Sequence, residues 1–158
     1  YAAGAGLSIG VPSTGIGVDI EGTWAEGLVA YSTTGNSSQV ADAIINATLT
    51  DIELTRAWAV QAGLSADVTP TVSIGLDGTY AQVDHRGFAN VISSGFGDFD
   101  TWVVAATVHW KPVSGLTISA EVAYENVDYE DELSSIGDYG PYPDDDVWGA
   151  MMRINRTF

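Results

Sequence analysis

The stretch that decides the fold is WVVAATVHWKPVSGLTISAEVAY, residues 102–124. From Trp102 to Trp110 the even positions carry Trp, Val, Ala, Val and Trp, and the odd positions between them carry Val, Ala, Thr and His. After the proline-containing segment 111–115, the even positions are again apolar up to Tyr124, and the odd ones carry Thr, Ser, Glu and Ala. A period of two residues is typical of a β-strand with one apolar and one more polar face. The stretch therefore predicts two antiparallel strands joined by a tight turn.

The same alternation recurs along most of the chain, which predicts an all-β fold of about seven strands in an antiparallel up-and-down arrangement. Short segments rich in Pro, Gly, Ser, Thr or Asp separate the alternating stretches and favour turns. The strand that begins at residue 16 is expected to continue to Tyr31. The other alternating segments are 7–11, 58–65, 72–80 and 147–158.

The composition indicates a membrane barrel rather than a soluble domain. Hydrophobic residues make up 46% of the chain but charged residues only 16%, against roughly 25% in soluble domains. No apolar run approaches the roughly 20 residues that a transmembrane helix needs, whereas in a transmembrane barrel only every second residue meets lipid. The net charge of −16 argues against a nucleic-acid partner, which would require a basic surface. The absence of cysteine excludes disulfides and thiolate metal sites.

The predicted connections alternate in length. The short ones are 12–15, 67–71 and 111–115, and the long, polar ones are 33–50, 83–99 and 127–146. Short turns on one side and long loops on the other describe an outer-membrane barrel whose short turns lie in the periplasm. In the first long loop, residues 38–45 combine a capping serine with a helical composition, which predicts a short surface helix.

The more polar strand positions would face the interior of such a barrel. Acids outnumber bases among them, which predicts a weak preference for cations; the alternative is that they only wet the wall, as any barrel interior must be polar. Arg56 falls on the apolar positions of its strand, so it either lies above the membrane or marks a bulge. The predicted pore-lining residues are Asp19, Glu21, Gln61, Asp77, His109, Glu121, Glu125, Arg153 and Asn155.

Aromatic side chains recur at strand positions that would meet lipid. Trp102 and Trp110 are eight residues apart, and Trp148 and Phe158 are ten apart. At about 3.3 Å per residue and a tilt near 40°, these separations project to about 20–25 Å, the height of the lipid band. The alternative is that these aromatics are ordinary core residues. The predicted aromatic girdle consists of Trp58, Tyr80, Trp102, Trp110, Tyr124, Trp148 and Phe158.

The final segment is an alternating strand that ends on a phenylalanine. Met152, Ile154 and Phe158 share one face of this strand. A last strand of this kind resembles the signal by which bacterial outer-membrane proteins are recognised for assembly. We therefore assign the assembly signal to these three residues.

More narrowly, the chain resembles the general-diffusion porins of alphaproteobacteria. The resemblance rests on Trp148-Gly149, Arg153 and the ending 156–158, on the segment 102–124 and, more loosely, on 58–80. It implies a trimeric, water-filled barrel of about 16 strands for passive diffusion of ions and small hydrophilic solutes. It also implies the bacterial outer membrane as location, with outer-membrane lipid, lipopolysaccharide and the assembly machinery as partners and no cofactor.

About seven strands cannot close a barrel of that size, and open sheet edges are not tolerated in lipid. The resemblance implies a protein about twice this length, with an inward-folded loop in its N-terminal half. We therefore expect residues 1–158 to be the C-terminal portion of a single barrel domain. The alternative is a small self-contained barrel of eight strands, with residues 15–33 split into two strands and a structural or surface-binding role through its acidic loops.

Catalytic and metal chemistry find little support in the sequence. His85 and His109 have no partner at metal-ligand spacing, and no Gly-x-Ser-x-Gly elbow is present. A pair between His85 and a loop serine is the remaining catalytic alternative. The acids between residues 128 and 146 lack the ligand spacing of a calcium loop, so a solvated charged loop is expected. The sequence thus predicts a protein that is not an enzyme and holds no metal.

Overall fold

The computed structural model describes residues 1–32, 42–45, 50–85, 98–129 and 145–157. Seven strands form one antiparallel sheet in the order β1-β2-β5-β6-β7-β8-β9, and two short strands, β3 and β4, form a separate hairpin. The strands are β1 (Ala2–Val11), β2 (Ile16–Glu26), β3 (Ala43–Ile45), β4 (Ile52–Leu54), β5 (Arg56–Thr69), β6 (Val72–Asp84), β7 (Phe99–Val113), β8 (Leu116–Tyr129) and β9 (Asp145–Arg156).

Each strand of the large sheet pairs with its predecessor and successor in that sheet, so the predicted up-and-down, all-β fold is confirmed. The two edges of the sheet are β1 and β9. Residues Ile16–Glu26 form one continuous strand rather than the two short ones that the self-contained eight-stranded alternative requires. Among the described strands, β1 and β9 do not pair, so the sheet does not close on itself.

The strand register sorts the side chains onto two faces. Ile9 lies opposite Val18, and Ile20 lies opposite Ala62, and the same parity continues to β9. We call "apolar face" the side that carries the even-numbered residues of β2 and β5–β9 and the odd-numbered residues of β1. The opposite side is the polar face. Large side chains on the apolar face are widely exposed, from 36% at Trp24 to 70% at Met152.

An exposed apolar face of this extent is unusual for a soluble sheet, which buries one face in a core. The buried residues lie elsewhere, near the long-loop end of the polar face. There Val29, Ala57, Val83, Phe99 and Val127 pack together; we call them the loop-end cluster. In the described segments, no helix is long and apolar enough to cross a membrane.

Two details of the first long connection differ from the sequence-based expectation. The second strand ends at Glu26 rather than Tyr31, because Gly27 adopts a φ of +71°, a conformation that interrupts a strand. A single 3₁₀ turn, Val29–Tyr31, follows. The helix predicted at 38–45 is wrong for Ala43–Ile45, which pairs with Ile52–Leu54 as a strand; β-branched isoleucines favour that pairing. The rest of the predicted helix lies outside the described residues.

Candidate functional site

All nine predicted pore-lining residues lie on the polar face. Each has an odd number and sits on β2 or on β5–β9, where the register places odd residues opposite odd residues. The structure gathers most of them into two groups. Asp19, Glu21, Gln61 and Asp77 line one groove of about 520 Å³. His109, Glu121, Arg153 and Asn155 line a second one of about 270 Å³. Glu125 stands apart, opposite Val103 and Val147.

The acidic groove is organised around a glycine. Gly63 lies directly opposite both Asp19 and Asp77, and a Cβ atom on it would come within 2.7 Å of Asp77 Oδ1. The missing side chain thus leaves the space in which the Asp77 carboxylate lies. Asp19 accepts a hydrogen bond from the Ser8 hydroxyl on β1. The two carboxylates therefore flank Gly63, one on each of the two strands that pair with β5.

The second groove contains two basic side chains, His109 and Arg153. His109 Nδ1 and Ser119 Oγ are 2.8 Å apart, and Arg153 is the next cross-strand partner of Ser119. Glu121 accepts a hydrogen bond of 3.3 Å from the Thr107 hydroxyl. The groove at β2, β5 and β6 thus carries only carboxylates among its described charged residues, whereas the groove at β7–β9 combines Glu121 with His109 and Arg153.

On the apolar face, one aromatic side chain per strand forms a continuous row near the long-loop end. Trp24 pairs with Trp58, Tyr80 with Trp102, and Tyr124 with Trp148. Ring contacts link Tyr1 to Trp24, Trp58 to Tyr80, and Tyr124 to both Trp102 and Trp148, with centroids 4.9–5.4 Å apart. We call these seven residues the aromatic row: Tyr1, Trp24, Trp58, Tyr80, Trp102, Tyr124 and Trp148.

Polar groups follow the aromatic row on its long-loop side. Trp58 Nε1 donates to Gln82 Oε1 at 2.9 Å, and the Tyr80 hydroxyl donates to Asp100 Oδ2 at 2.7 Å. Rings on the apolar side with their polar atoms turned towards the loops are the arrangement that a membrane–water boundary favours. Arg56 had two explanations, a position beyond the lipid-facing part of the strand or a bulge. It lies on the long-loop side of the aromatic row, where its guanidinium is 3.1 Å from Glu26. The register between β2 and β5 is continuous there, so no bulge is involved.

Residues 1–151 match the family model of the porin subfamily. The chain belongs to this family of porins. Searches of curated proteins and of solved structures found no match to the chain. Porins are channel proteins and not enzymes, and the family together with the strand-rich fold identifies an outer-membrane β-barrel protein. The predicted resemblance to a porin is thereby confirmed at the level of the family.

Five of the seven predicted girdle residues of this porin, Trp58, Tyr80, Trp102, Tyr124 and Trp148, belong to the aromatic row. Trp110 lies at the other end of β7, on the same face as Trp102 and eight residues away. Phe158 lies outside the described residues. Of the predicted assembly signal, Met152 and Ile154 project from the apolar face of β9 and are 70% and 61% exposed.

The connection after β2 folds over the polar face. Val29 is fully buried in the loop-end cluster against residues of that face. Its backbone N–H donates to Asp42 Oδ1 at 2.8 Å, and the Asp42 carbonyl accepts from the Thr55 N–H at 3.1 Å. One aspartate therefore ties the two ends of the connection together above the sheet.

We expect Asp42→Ala to loosen this connection. Loss of the charged acceptor leaves the Val29 N–H without its bond, at a cost of about 1–2 kcal/mol. Amide hydrogen exchange at Val29 should speed up about fivefold or more, whereas exchange in β7 should not change. Asp51→Ala is the matched control, because Asp51 Oδ1 accepts a hydrogen bond from the adjacent Ile52 N–H and not from Val29. Unchanged exchange at Val29 in Asp42→Ala would contradict the role of Asp42.

Sequence reasoning missed four residues that matter here. Tyr1 and Trp24 belong to the aromatic row, and the alternation Ile16, Val18, Ile20 would have found Trp24. Tyr31 and Ser32 reach the polar face through the 3₁₀ turn, which leaves no periodic signal. Within the part of the chain that the structure describes, no group of three or more His, Asp or Glu residues could hold a metal ion.

Proposed function

We propose that this porin forms a water-filled channel for passive diffusion of ions and small hydrophilic solutes across the bacterial outer membrane. In this proposal the apolar face contacts lipid and the polar face lines the lumen. The observation that supports it is the separation of the two faces over all seven strands of the sheet. Most of the exposed Val, Leu, Ile, Met and Trp side chains occupy one face, and the nine predicted pore-lining residues occupy the other.

We further propose a weak preference for cations. Among the nine predicted pore-lining residues, five are carboxylates, Asp19, Glu21, Asp77, Glu121 and Glu125, whereas Arg153 and His109 are the basic ones. At about 10 Å in water, one unit charge changes the energy of a passing ion by about 0.4 kcal/mol. Each uncompensated carboxylate thus favours a cation over neutral surroundings by about twofold in local concentration.

We expect the double variant Asp19→Asn/Asp77→Asn to lower the cation-to-anion permeability ratio by about two- to fourfold, since two negative charges leave the wall. Reversal potentials across a salt gradient in planar bilayers measure this ratio directly. Asp84→Asn is the control, because it removes the same charge from the apolar face beyond the aromatic row. An equal loss of selectivity in both proteins would contradict the placement of Asp19 and Asp77 on the lumen wall.

The open edges of the sheet support a larger assembly of strands. Edges β1 and β9 each present backbone N–H and C=O groups that lipid cannot satisfy. We propose that residues 1–158 are the C-terminal portion of a general-diffusion porin of the alphaproteobacterial type, in which further strands close the barrel. From the resemblance to that type of porin we also propose a homotrimer, surrounded by outer-membrane lipid and lipopolysaccharide.

The aromatic row supports the proposed contact with lipid. It would serve as the girdle at the outer boundary, with Trp110 and Phe158 at the periplasmic one. The exposed Met152 and Ile154 side chains, together with Phe158, would be available to the assembly machinery on the last strand.

Conductance in planar lipid bilayers tests the channel. The protein, extracted without boiling from the membrane that contains it, should give large and stable current steps, and a trimer should give them in threes. A folded barrel, recognised by its heat-dependent electrophoretic mobility, that gives no steps would contradict the proposed function.

A further inference from the structure

The 3₁₀ turn covers a small cavity on the polar face, separate from the two grooves described above. Beneath it lies a cavity of about 110 Å³ whose polar lining comes from Glu21, Thr23, Tyr31, Ser32, Gln61 and Thr79. Three strands of the sheet and the turn contribute to it, so the cavity is built by the fold and not by one flexible segment.

The Ser32 hydroxyl makes no hydrogen bond to the described part of the protein. Ser32 is only 2% exposed, and its hydroxyl has no hydrogen-bond partner among the described residues. A buried hydroxyl without a partner costs about 1–3 kcal/mol. Ser32 borders the cavity, so its hydroxyl can turn towards a ligand there without giving up a bond to the described residues.

Tyr31 adds an aromatic surface to the same cavity. Its ring is 56% exposed, although it belongs to a turn that packs on the sheet through Val29. Its hydroxyl lies over β1, 3.4 Å from the position that a Cβ on Gly4 would occupy. The small residue at position 4 therefore leaves room for the phenol, and the ring is held over the cavity.

The lining chemistry favours an uncharged, hydroxylated ligand. Four hydroxyls and one amide offer both donors and acceptors, and the Glu21 carboxylate accepts two hydrogen bonds at once. An anion would meet Glu21 with no base in the lining to offset it. An ammonium ion would use the carboxylate and the ring but would leave the donors unused. A few placed polar groups beside an aromatic surface are typical of small-molecule sites.

We propose that this cavity binds one side of small neutral polyhydroxylated solutes of monosaccharide size as they pass through the porin, because its volume of about 110 Å³ admits only part of a sugar ring. Tyr31 stacks on the C–H face of the sugar ring, and Glu21, Ser32 and Gln61 bind its hydroxyls. The inference rests on the proposed channel, because solutes must reach the polar face. Glu21 and Gln61 also line the groove that leads to Asp19 and Asp77, so a released solute continues along the same wall.

Saturation-transfer NMR with glucose on the detergent-solubilised, folded protein tests the site. Tyr31→Leu should weaken glucose binding about fivefold or more through loss of the ring, whereas Tyr31→Phe should retain most of it. Ser32→Ala should weaken binding without lowering thermal stability, because it removes a hydroxyl with no partner in the protein. A purely structural role for Ser32 would instead lower stability. Thr117→Val removes a hydroxyl from the second groove, which contains His109 and Arg153, and it should leave glucose binding unchanged.

The outcomes separate this inference from the channel. If saturation transfer were seen to choline but not to glucose, the proposed sugar site would be overturned in favour of a site for organic cations. Bilayer steps from a protein that shows no transfer to glucose would retain the channel and overturn the site. Transfer to glucose that is lost in Tyr31→Leu would support the site even if no steps were seen, in which case the channel proposal falls.

Discussion

Ala106→Arg is expected to lower the free energy of unfolding of this porin by about 2–4 kcal/mol, the cost of an arginine at the bilayer midplane of a barrel. Ala106 lies on the apolar face, halfway between Trp102 and Trp110 along β7, and is exposed. In the proposed orientation the guanidinium would enter the middle of the lipid band, too far from either boundary for its head group to reach water easily.

The adjacent residue provides a matched control. Ala105→Arg introduces the same side chain in place of the same alanine, but on the polar face and directly opposite Asp77. There we expect a change within about 0.5 kcal/mol, or a small gain of about 0.2–1 kcal/mol from the opposite charge across the strands. Equilibrium unfolding by denaturant in lipid vesicles compares the two. Equal losses would show that the faces are wrongly assigned, and a larger loss in Ala105→Arg would show that they are reversed.

The assignment of residues to the two faces of the sheet could be predicted from the sequence, because it depends only on the two-residue alternation within each strand. All nine predicted pore-lining residues share one face, because the register between neighbouring strands from β2 to β9 keeps odd residues opposite odd ones. The aromatic row follows from the same parity. Local alternation is a property of each strand, and the register carries it across the sheet.

The long-loop end could not be predicted in this way. Parity assigns Ala57, Val83, Phe99 and Val127 to the polar face, yet they are buried because Val29 packs on them. That contact depends on a chain reversal at Gly27 and on the Asp42 side chain, and neither has a periodic signature. Tyr31 and Ser32 reach their cavity through the same reversal, so the strand predicted to continue to Tyr31 ends at Glu26 instead.

The second large effect is expected at the turn between β7 and β8. Gly115 has a φ of +75° and accepts a backbone hydrogen bond of 2.8 Å from the Thr157 N–H. A Cβ atom at position 115 would lie 2.7 Å from the Thr157 carbonyl oxygen, a backbone atom of the same residue that makes this bond. Gly115→Ala should therefore lower the free energy of unfolding by about 1–3 kcal/mol, from the left-handed conformation and the displaced end of the last strand.

Two further glycine variants identify the cause of this loss. A Cβ on Gly10 would have no atom within 4 Å, so Gly10→Ala in β1 should be neutral or stabilise by about 0.5–1 kcal/mol. Gly115→Asn keeps a residue that tolerates the left-handed conformation but still places a Cβ against Thr157. If denaturant unfolding shows the loss in both Ala and Asn variants, the contact with the last strand dominates; recovery in Gly115→Asn would assign it to the backbone conformation. A Gly115→Ala protein as stable as Gly10→Ala would contradict the turn geometry. The last strand carries the proposed assembly signal. A loss of stability in both Gly115→Ala and Gly115→Asn would therefore also connect the β7–β8 turn with the placement of Met152 and Ile154.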